Sequence, residues 1–144
     1  MKFPYIKFPL PSRSSYFGIS LLKPIILVEI TYSKREVRYS ALIDSGADFC
    51  IFDAEIGEYL GIEIESGIKT GFGGIQERGG AVAHLHKVTL SVGGNEFDTN
   101  VGFSHDIAKH GYGILGQKGF FDLFIVKFDY RNADVELNPK LNIN

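Results

Sequence analysis

The hydrophobic residues of this chain fall into short runs separated by polar or glycine-rich turns, a pattern typical of β-strands. β-branched and apolar residues dominate 25–32 and 37–43, and the polar residues 33–36 between these two runs predict a hairpin. Further strands are expected at 84–92, 97–103, 124–129 and 134–137. The chain is therefore predicted to be mainly β.

Two short helices are expected among these strands. Asp53 can cap a helix over residues 54–60, and Gly61 marks its end because glycine readily adopts the left-handed conformation. A second helical segment is expected around residues 118–123. Six glycines lie between positions 67 and 80, where a mobile hairpin is expected.

The first 18 residues show no periodicity and contain three prolines, so we expect an irregular arm over residues 1–18. A single domain is expected over residues 19–144, because a chain of this length can bury one core. The arm has three candidate roles that the sequence leaves open, namely an inhibitory segment, a dimer strand or a disordered tail.

Charge and composition limit the expected classes of binding partner and the expected cellular compartment. The chain carries 15 basic and 17 acidic residues mixed along its length, so neither nucleic acid nor an anionic membrane is an expected partner. Lys23 and Pro24 interrupt the most apolar stretch, which is too short to cross a bilayer, and no apolar signal-peptide region follows the N-terminus. Cys50 is the single cysteine and has no partner for an intrachain disulfide, which favours a cytoplasmic location.

The most informative motif is Asp44-Ser45-Gly46-Ala47, which directly follows the apolar run that ends at Ile43. A strand that ends in a small-residue loop can present Asp44 at its tip, and the small residues allow a second backbone to approach closely. Two carboxylates that share one site hold one proton between them, because their like charges oppose simultaneous ionisation. Such a pair can activate a water molecule for attack on a peptide carbonyl without a metal.

The segment Leu42-Ile43-Asp44-Ser45-Gly46-Ala47 resembles the active-site motif of retropepsins, the homodimeric aspartic peptidases that include retroviral proteases. Gly71-Phe72-Gly73-Gly74 is similar to the glycine-rich tip of the retropepsin flap. Ile114-Leu115-Gly116 is similar to the apolar pair and glycine that pack beneath the active-site loop. The order and spacing of the three elements also match, and the resemblance covers roughly residues 24–137.

This resemblance implies a closed, antiparallel, barrel-like acid-protease domain that acts as an aspartic endopeptidase on a protein or peptide substrate. It implies that Asp44 is catalytic and that Ser45, Gly46 and Ala47 build the loop around it. The implied flap and substrate-binding residues are Phe72, Gly73, Gly74 and Ile75, and the implied loop-supporting residues are Ile114, Leu115 and Gly116. No cofactor or metal is implied.

The chain contains one Asp-Ser/Thr-Gly triplet, so the second aspartate has to come from another chain, and a homodimer is expected. A monomer that takes its second aspartate from a different protein is another possibility. The sequence departs from the retroviral pattern at Gln117, which stands where an arginine often pairs with the acidic residue corresponding to Asp48; Lys118 and Arg131 are candidate substitutes. The alternative function is a catalytically silent dimerisation or peptide-binding module with the same fold.

Other residues with chemical potential have simpler interpretations. His84 and His86 lie on one face of a strand, but a third metal ligand is not evident nearby. Ser104-His105-Asp106 has the letters of a hydrolytic triad, yet a triad is a spatial arrangement and adjacent side chains point in different directions. Cys50 is expected to be a small buried hydrophobe.

Overall fold

The computed structural model describes residues 1–73, 80–107 and 111–140. The strands are β1 (Lys2–Pro4), β2 (Ile6–Ser14), β3 (Gly18–Lys23), β4 (Ile25–Tyr32), β5 (Arg35–Ile43), β6 (Ile51–Asp53), β7 (Ile68–Phe72), β8 (Ala81–Val92), β9 (Asn95–Ser104), β10 (Gly113–Leu115), β11 (Phe124–Asp129) and β12 (Asp134–Pro139). The helical elements are α1 (Ala54–Tyr59) and a 3₁₀-helix (Ile64–Ser66). In these described ranges, neither helix has the length and apolar character needed to span a bilayer.

Six strands close into a barrel. They pair in the order β4–β5–β10–β6–β9–β8, and β8 pairs back with β4. The prediction of a mainly β, closed barrel is therefore confirmed. Four of the six pairings are antiparallel, whereas β10 runs parallel to β5 and β6 runs parallel to β9. Strand β7 extends the sheet beyond β8.

The barrel interior is filled by alternate residues of its strands, because successive side chains of a strand point to opposite faces. In β4, the inward residues Ile26, Val28 and Ile30 are at most 4 % exposed, whereas Leu27 between them is 57 % exposed. Other fully buried large side chains come from β6, β8, β9 and β10, namely Phe52, Leu90, Val101, Phe103 and Leu115. The apolar runs of the sequence therefore supply one continuous core.

Helix α1 forms where the sequence predicts it, within one residue. The Asp53 carboxylate accepts a hydrogen bond of 2.9 Å from the Glu55 backbone N–H, which satisfies one of the unpaired donors of the first turn. Gly61 follows the helix with a φ of +88°. Ala54 and Ile56 are buried, so the helix packs on the barrel.

The helix expected at residues 118–123 is wrong. This segment forms consecutive turns, in which the Phe121 backbone N–H donates to the Gly116 carbonyl, five residues back, at 3.2 Å. Gly119 has a φ of +102°, a backbone conformation outside any right-handed helix. With this φ at its second residue, the segment 118–123 cannot form a continuous right-handed helix.

The structure also differs from the expected irregular arm at residues 1–18. Strand β1 pairs antiparallel with β12, and β12 pairs with β11, so three strands from the two ends of the chain share one sheet. Strand β2 pairs with β3 in a separate two-stranded ribbon. Both β1 and β2 are edge strands, where proline is tolerated because one row of N–H groups needs no ladder partner. The prolines therefore concealed strands; the division between an arm and a 19–144 domain stays a prediction.

Candidate active site

Asp44 is the first residue after β5 and lies at the end of the parallel pairing between β5 and β10. Leu115 is the register partner of Ile43, and the Leu115 carbonyl accepts a hydrogen bond of 3.0 Å from the Asp44 backbone N–H. On the other side of β5, the Ile43 N–H donates to the Pro24 carbonyl at 3.0 Å. The backbone at Asp44 is therefore fixed by barrel strands, while the Asp44 residue itself is half-buried.

The loop after Asp44 orients the carboxylate. The Gly46 N–H donates to Asp44 Oδ1 at 2.9 Å, and the Ala47 N–H donates to the Asp44 carbonyl at 3.2 Å. A Cβ atom at position 46 would lie 3.2 Å from Asp44 Oδ1, so glycine allows the close approach that this turn needs. The predicted loop residues Ser45, Gly46 and Ala47 thus surround a carboxylate held at the tip of a tight turn.

Residues 114–118 contact this loop and the strand that precedes it. Ile114 lies between Leu42 of β5 and Ile51 of β6 in the sheet, and Leu115 is fully buried. A Cβ atom at Gly116 would lie 2.6 Å from the Phe49 carbonyl carbon, so only glycine fits there without a backbone shift. Leu115 and Gly116 thus contact the Asp44 loop, and Ile114 lies one residue earlier between β5 and β6.

Gln117 also holds the loop, a role that the sequence analysis missed. Its side-chain Nε2 donates to the Ser45 carbonyl at 2.7 Å, and its backbone N–H donates to the Ala47 carbonyl at 2.8 Å. The signal was available as a polar residue directly after Gly116, but it was interpreted only as a missing arginine. The Lys118 N–H donates to the Asp48 backbone carbonyl at 2.9 Å, and none of the ion pairs among the described residues involves Asp48.

A hairpin of β7 and β8 lies beside the loop, as the glycine-rich segment predicts. Phe72 is the last residue of β7, and its ring meets the Phe49 ring edge-to-face with centroids 6.2 Å apart. Gly73 has a φ of +122°. The predicted flap residues Gly74 and Ile75 lie outside the described residues. The contact between the Phe72 and Phe49 rings therefore joins the end of β7 to the segment that follows Asp44.

A cavity of about 420 Å³ opens beside Phe49. Apolar side chains line one part of it, and polar or charged side chains line the rest. The lining residues are Phe49, Ile68, Leu85, Asp98, Thr99, Asn100, Lys118, Gly119, Asp122 and Leu123. Because Ile68 and Leu85 belong to the β7–β8 hairpin, this cavity adjoins the same hairpin as Phe72.

Four of the other candidate residues, namely His86, Ser104, His105 and Asp106, have structural partners. His86 Nε2 lies 2.7 Å from the Ile64 carbonyl. Ser104 Oγ donates to the Val82 carbonyl at 2.5 Å, and Asp106 Oδ2 accepts from the Val82 N–H at 3.0 Å, so this turn ties the start of β8 to β9. His105 points elsewhere, to Glu58 Oε1 at 3.3 Å. No cluster of three metal-ligating side chains occurs in the part of the chain that the structure describes.

Cys50 lies in the barrel core close to the Asp44 loop. It is 0 % exposed, and burial raises the pKa of its thiol to about 12. A thiol with such a pKa stays protonated at neutral pH and is a poor nucleophile. The interpretation of Cys50 as a small buried hydrophobe agrees with this environment.

The chain was compared with protein-family models, curated protein sequences and solved structures, and solved structures match it. No protein-family model matches the chain, and no curated protein sequence matches it. Among solved structures, the chain is similar to the EIAV protease complexed with the inhibitor HBY-793, with a TM-score of 0.47 and 24 % sequence identity. The similarity covers 66 % of this chain and 82 % of that protein.

Proposed function

We propose that this chain is an aspartic endopeptidase that acts as a homodimer, with one Asp44 from each copy forming the catalytic pair. The observation that carries the proposal is the carboxylate of Asp44, held by the Gly46 N–H on a half-buried loop whose backbone is fixed by Leu115. A water-activating carboxylate needs this combination of a fixed position and access from outside. The Asp-Ser-Gly-Ala motif and its resemblance to retropepsins support the same assignment.

The chemistry requires two such carboxylates with one proton between them. The ionised Asp44 takes a proton from a bound water as the water attacks the peptide carbonyl. The protonated Asp44 of the other copy donates to the developing oxyanion and later assists departure of the amine. Because the reaction needs one ionised and one protonated carboxylate, the rate is expected to rise and then fall across mildly acidic to neutral pH.

The β7–β8 hairpin is the element suited to hold the substrate. Strand β7 is the last strand of its sheet, so its outer edge can pair with an extended peptide by β-augmentation. Phe72 at the end of β7 contacts Phe49, which places an apolar surface between this hairpin and the Asp44 loop. The adjoining cavity offers room for a substrate side chain, with Phe49 and Ile68 on its apolar side.

Asp44→Asn tests the proposal, and Asp129→Asn is the matched control. Asp129 lies at the far end of β11, where its carboxylate bonds to Asn132 and belongs to none of the site elements. Asp44→Asn is expected to lower cleavage of a diverse peptide library by at least about 10²-fold between mildly acidic and neutral pH, because general acid–base catalysis is removed. The dimer is expected to persist, and Asp129→Asn is expected to retain activity.

Mass spectrometry of the peptide products would measure cleavage, and light scattering of the same samples would record the oligomeric state. A stable wild-type dimer that binds peptides without cleaving them would overturn the peptidase and favour the silent peptide-binding module. Equal cleavage by wild type and Asp44→Asn would show that Asp44 has no catalytic role.

A further inference from the structure

The β2–β3 ribbon lies outside the barrel and buries none of its side chains completely. Every residue from Ile6 to Lys23 is exposed or half-buried, and the ribbon shares no strand pairing with either of the other two sheets. The apolar residues near its turn are among the most exposed in the described structure, with Tyr16 at 87 %, Ile19 at 69 % and Phe17 at 53 %. Tyr16 and Phe17 pack edge-to-face on each other, 4.8 Å between ring centroids.

An isolated two-stranded ribbon is only marginally stable in water, and contiguous exposed apolar side chains are typical of interaction sites. The ribbon has up to nine residues in a strand, which corresponds to a reach of about 30 Å at 3.3 Å per residue. Its geometry therefore suits an arm whose tip packs on another surface.

The base of the ribbon lies beside the Asp44 loop. Lys23 ends β3 and is followed by Pro24, whose carbonyl binds the Ile43 N–H next to Asp44. Lys23 Nζ donates to the Tyr112 hydroxyl at 3.2 Å, and Phe8 meets the Tyr112 ring at 5.5 Å between centroids. Tyr112 directly precedes β10, the strand that supports the loop. The base of the ribbon thus lies next to β5, the strand that carries Asp44 at its end, and to β10.

The charge of the ribbon also differs from that of the rest of the chain. Residues 6–23 contain Lys7, Arg13 and Lys23 and no acidic residue. The remaining residues carry 12 basic against 17 acidic side chains. A basic arm and an acidic body attract each other between two copies of the same chain, so the charge distribution favours a second copy as the partner.

We propose that the β2–β3 ribbon is a dimerisation arm, whose apolar tip packs against the body of a second copy of this chain. The proposal rests on the proposed function, because the second copy supplies the second Asp44 and the site is incomplete without it. The arm of each copy contacts the other in the same way, as a two-fold symmetric dimer requires.

Two matched pairs of variants test the arm. Tyr16→Ser and Ile19→Ser alter the ribbon, whereas Tyr130→Ser and Ile125→Ser alter the same residue types at exposed positions of the β11–β12 hairpin, which are 63 % and 60 % exposed. All four positions are exposed, so the fold is expected to tolerate each change. Sedimentation velocity over a concentration series measures the dimer dissociation constant. Each ribbon variant is expected to raise that constant about tenfold or more, and each control is expected to change it less than about threefold.

The outcomes separate the arm from the peptidase. A wild-type dimer that cleaves peptides but is indifferent to Tyr16→Ser and Ile19→Ser overturns the arm and leaves the proposed function standing. Weakening by Tyr130→Ser or Ile125→Ser instead places the interface on the β11–β12 hairpin and also overturns the arm. A ribbon variant with an unchanged dimer and faster cleavage overturns it too, because the ribbon then covers its own cleft. A wild-type chain that stays monomeric and cleaves nothing overturns both proposals.

Discussion

Pro24 is the one residue between the β2–β3 ribbon and strand β4, yet the two segments differ sharply in how far their side chains are buried. Ile25, Ile26, Val28 and Ile30 of β4 are at most 4 % exposed, whereas no residue of the ribbon is buried. Both segments are rich in apolar residues and both are β. The difference teaches that an apolar, strand-forming sequence does not by itself determine whether the strand is buried in the core of its own chain.

Truncation of one isoleucine in each region gives the largest contrast. Ile30 is fully buried and Ile19 is 69 % exposed, and both lie in strands. Ile30→Ala is expected to lower the free energy of unfolding by about 3 kcal/mol, because it removes buried contacts and leaves a cavity. Ile19→Ala is expected to change it by about 0.5 kcal/mol or less. Urea denaturation at a concentration where the chain is monomeric would measure both.

Comparable losses for the two alanine variants would contradict the comparison, since the ribbon would then belong to the cooperative core. Raising the chain concentration provides a second check. If the ribbon packs on a second copy, the cost of Ile19→Ala is expected to grow as dimers form, while the cost of Ile30→Ala stays similar.

A glycine in each region gives a smaller contrast with a different physical origin. A Cβ at Gly116 would collide with backbone atoms of Phe49, so Gly116→Ala is expected to cost roughly 2–3 kcal/mol through overpacking. A Cβ at Gly18 would meet no atom within 4 Å, but Gly18 has a φ of +81°. Gly18→Ala is therefore expected to cost about 1 kcal/mol of local backbone strain, confined to the ribbon turn.

Native-state hydrogen exchange would distinguish these two costs. Gly116→Ala is expected to speed exchange throughout the barrel, because the Asp44 loop and β10 belong to the core. Gly18→Ala is expected to speed exchange in β2 and β3 alone. A Gly18→Ala variant that loosened the barrel would show that the ribbon and the barrel unfold together.

The sequence predicted the barrel better than the ribbon because the two are stabilised differently. The run of β-branched and apolar residues in β4 and the capped helix α1 are local signals, and the structure has both elements at the expected positions. The strands β1 and β2 depend on pairing with β12 and β3, and their prolines conceal the pattern. Proline is tolerated in edge strands and disfavoured in central strands, so a proline-rich segment can be an edge strand only if a partner strand is available. The local sequence does not show whether such a partner exists.

The candidate site shows the same division. Asp44 and Gly46 were predicted from residue types that have a mechanical meaning in a tight loop, whereas Gly116 was predicted from the resemblance of Ile114-Leu115-Gly116 to a retropepsin element. The polar side chain of Gln117 was visible in the sequence, but its hydrogen bond to the Ser45 carbonyl was not, because that bond joins two segments 72 positions apart in the chain. The positive φ of Gly119, which breaks the expected helix, was likewise not predicted from the sequence.

The third contrast compares the native thiol of the barrel core with a thiol introduced into the ribbon, and it has the smallest expected effect on stability. Cys50 is 0 % exposed, and burial raises its pKa to about 12. At pH 8 the thiolate fraction of such a group is on the order of 10⁻⁴, and an ordinary exposed cysteine of pKa ~8.5 has a fraction of roughly a quarter. A second thiol introduced by Ser12→Cys, at an exposed ribbon position, is expected to leave stability almost unchanged and to react with an alkylating reagent within minutes.

Mass spectrometry of the alkylated chain at pH 8 would give both rates from one sample, with urea-denatured protein as the control in which the two thiols react alike. Rapid labelling of Cys50 in the folded chain would contradict its burial in the core. The concentration dependence carries further information: if the ribbon docks on a second copy, labelling at position 12 is expected to slow as the dimer forms, because contact with the partner restricts access of the reagent. The protection of Cys50 is expected to be the same at every concentration, since the barrel buries it within one chain.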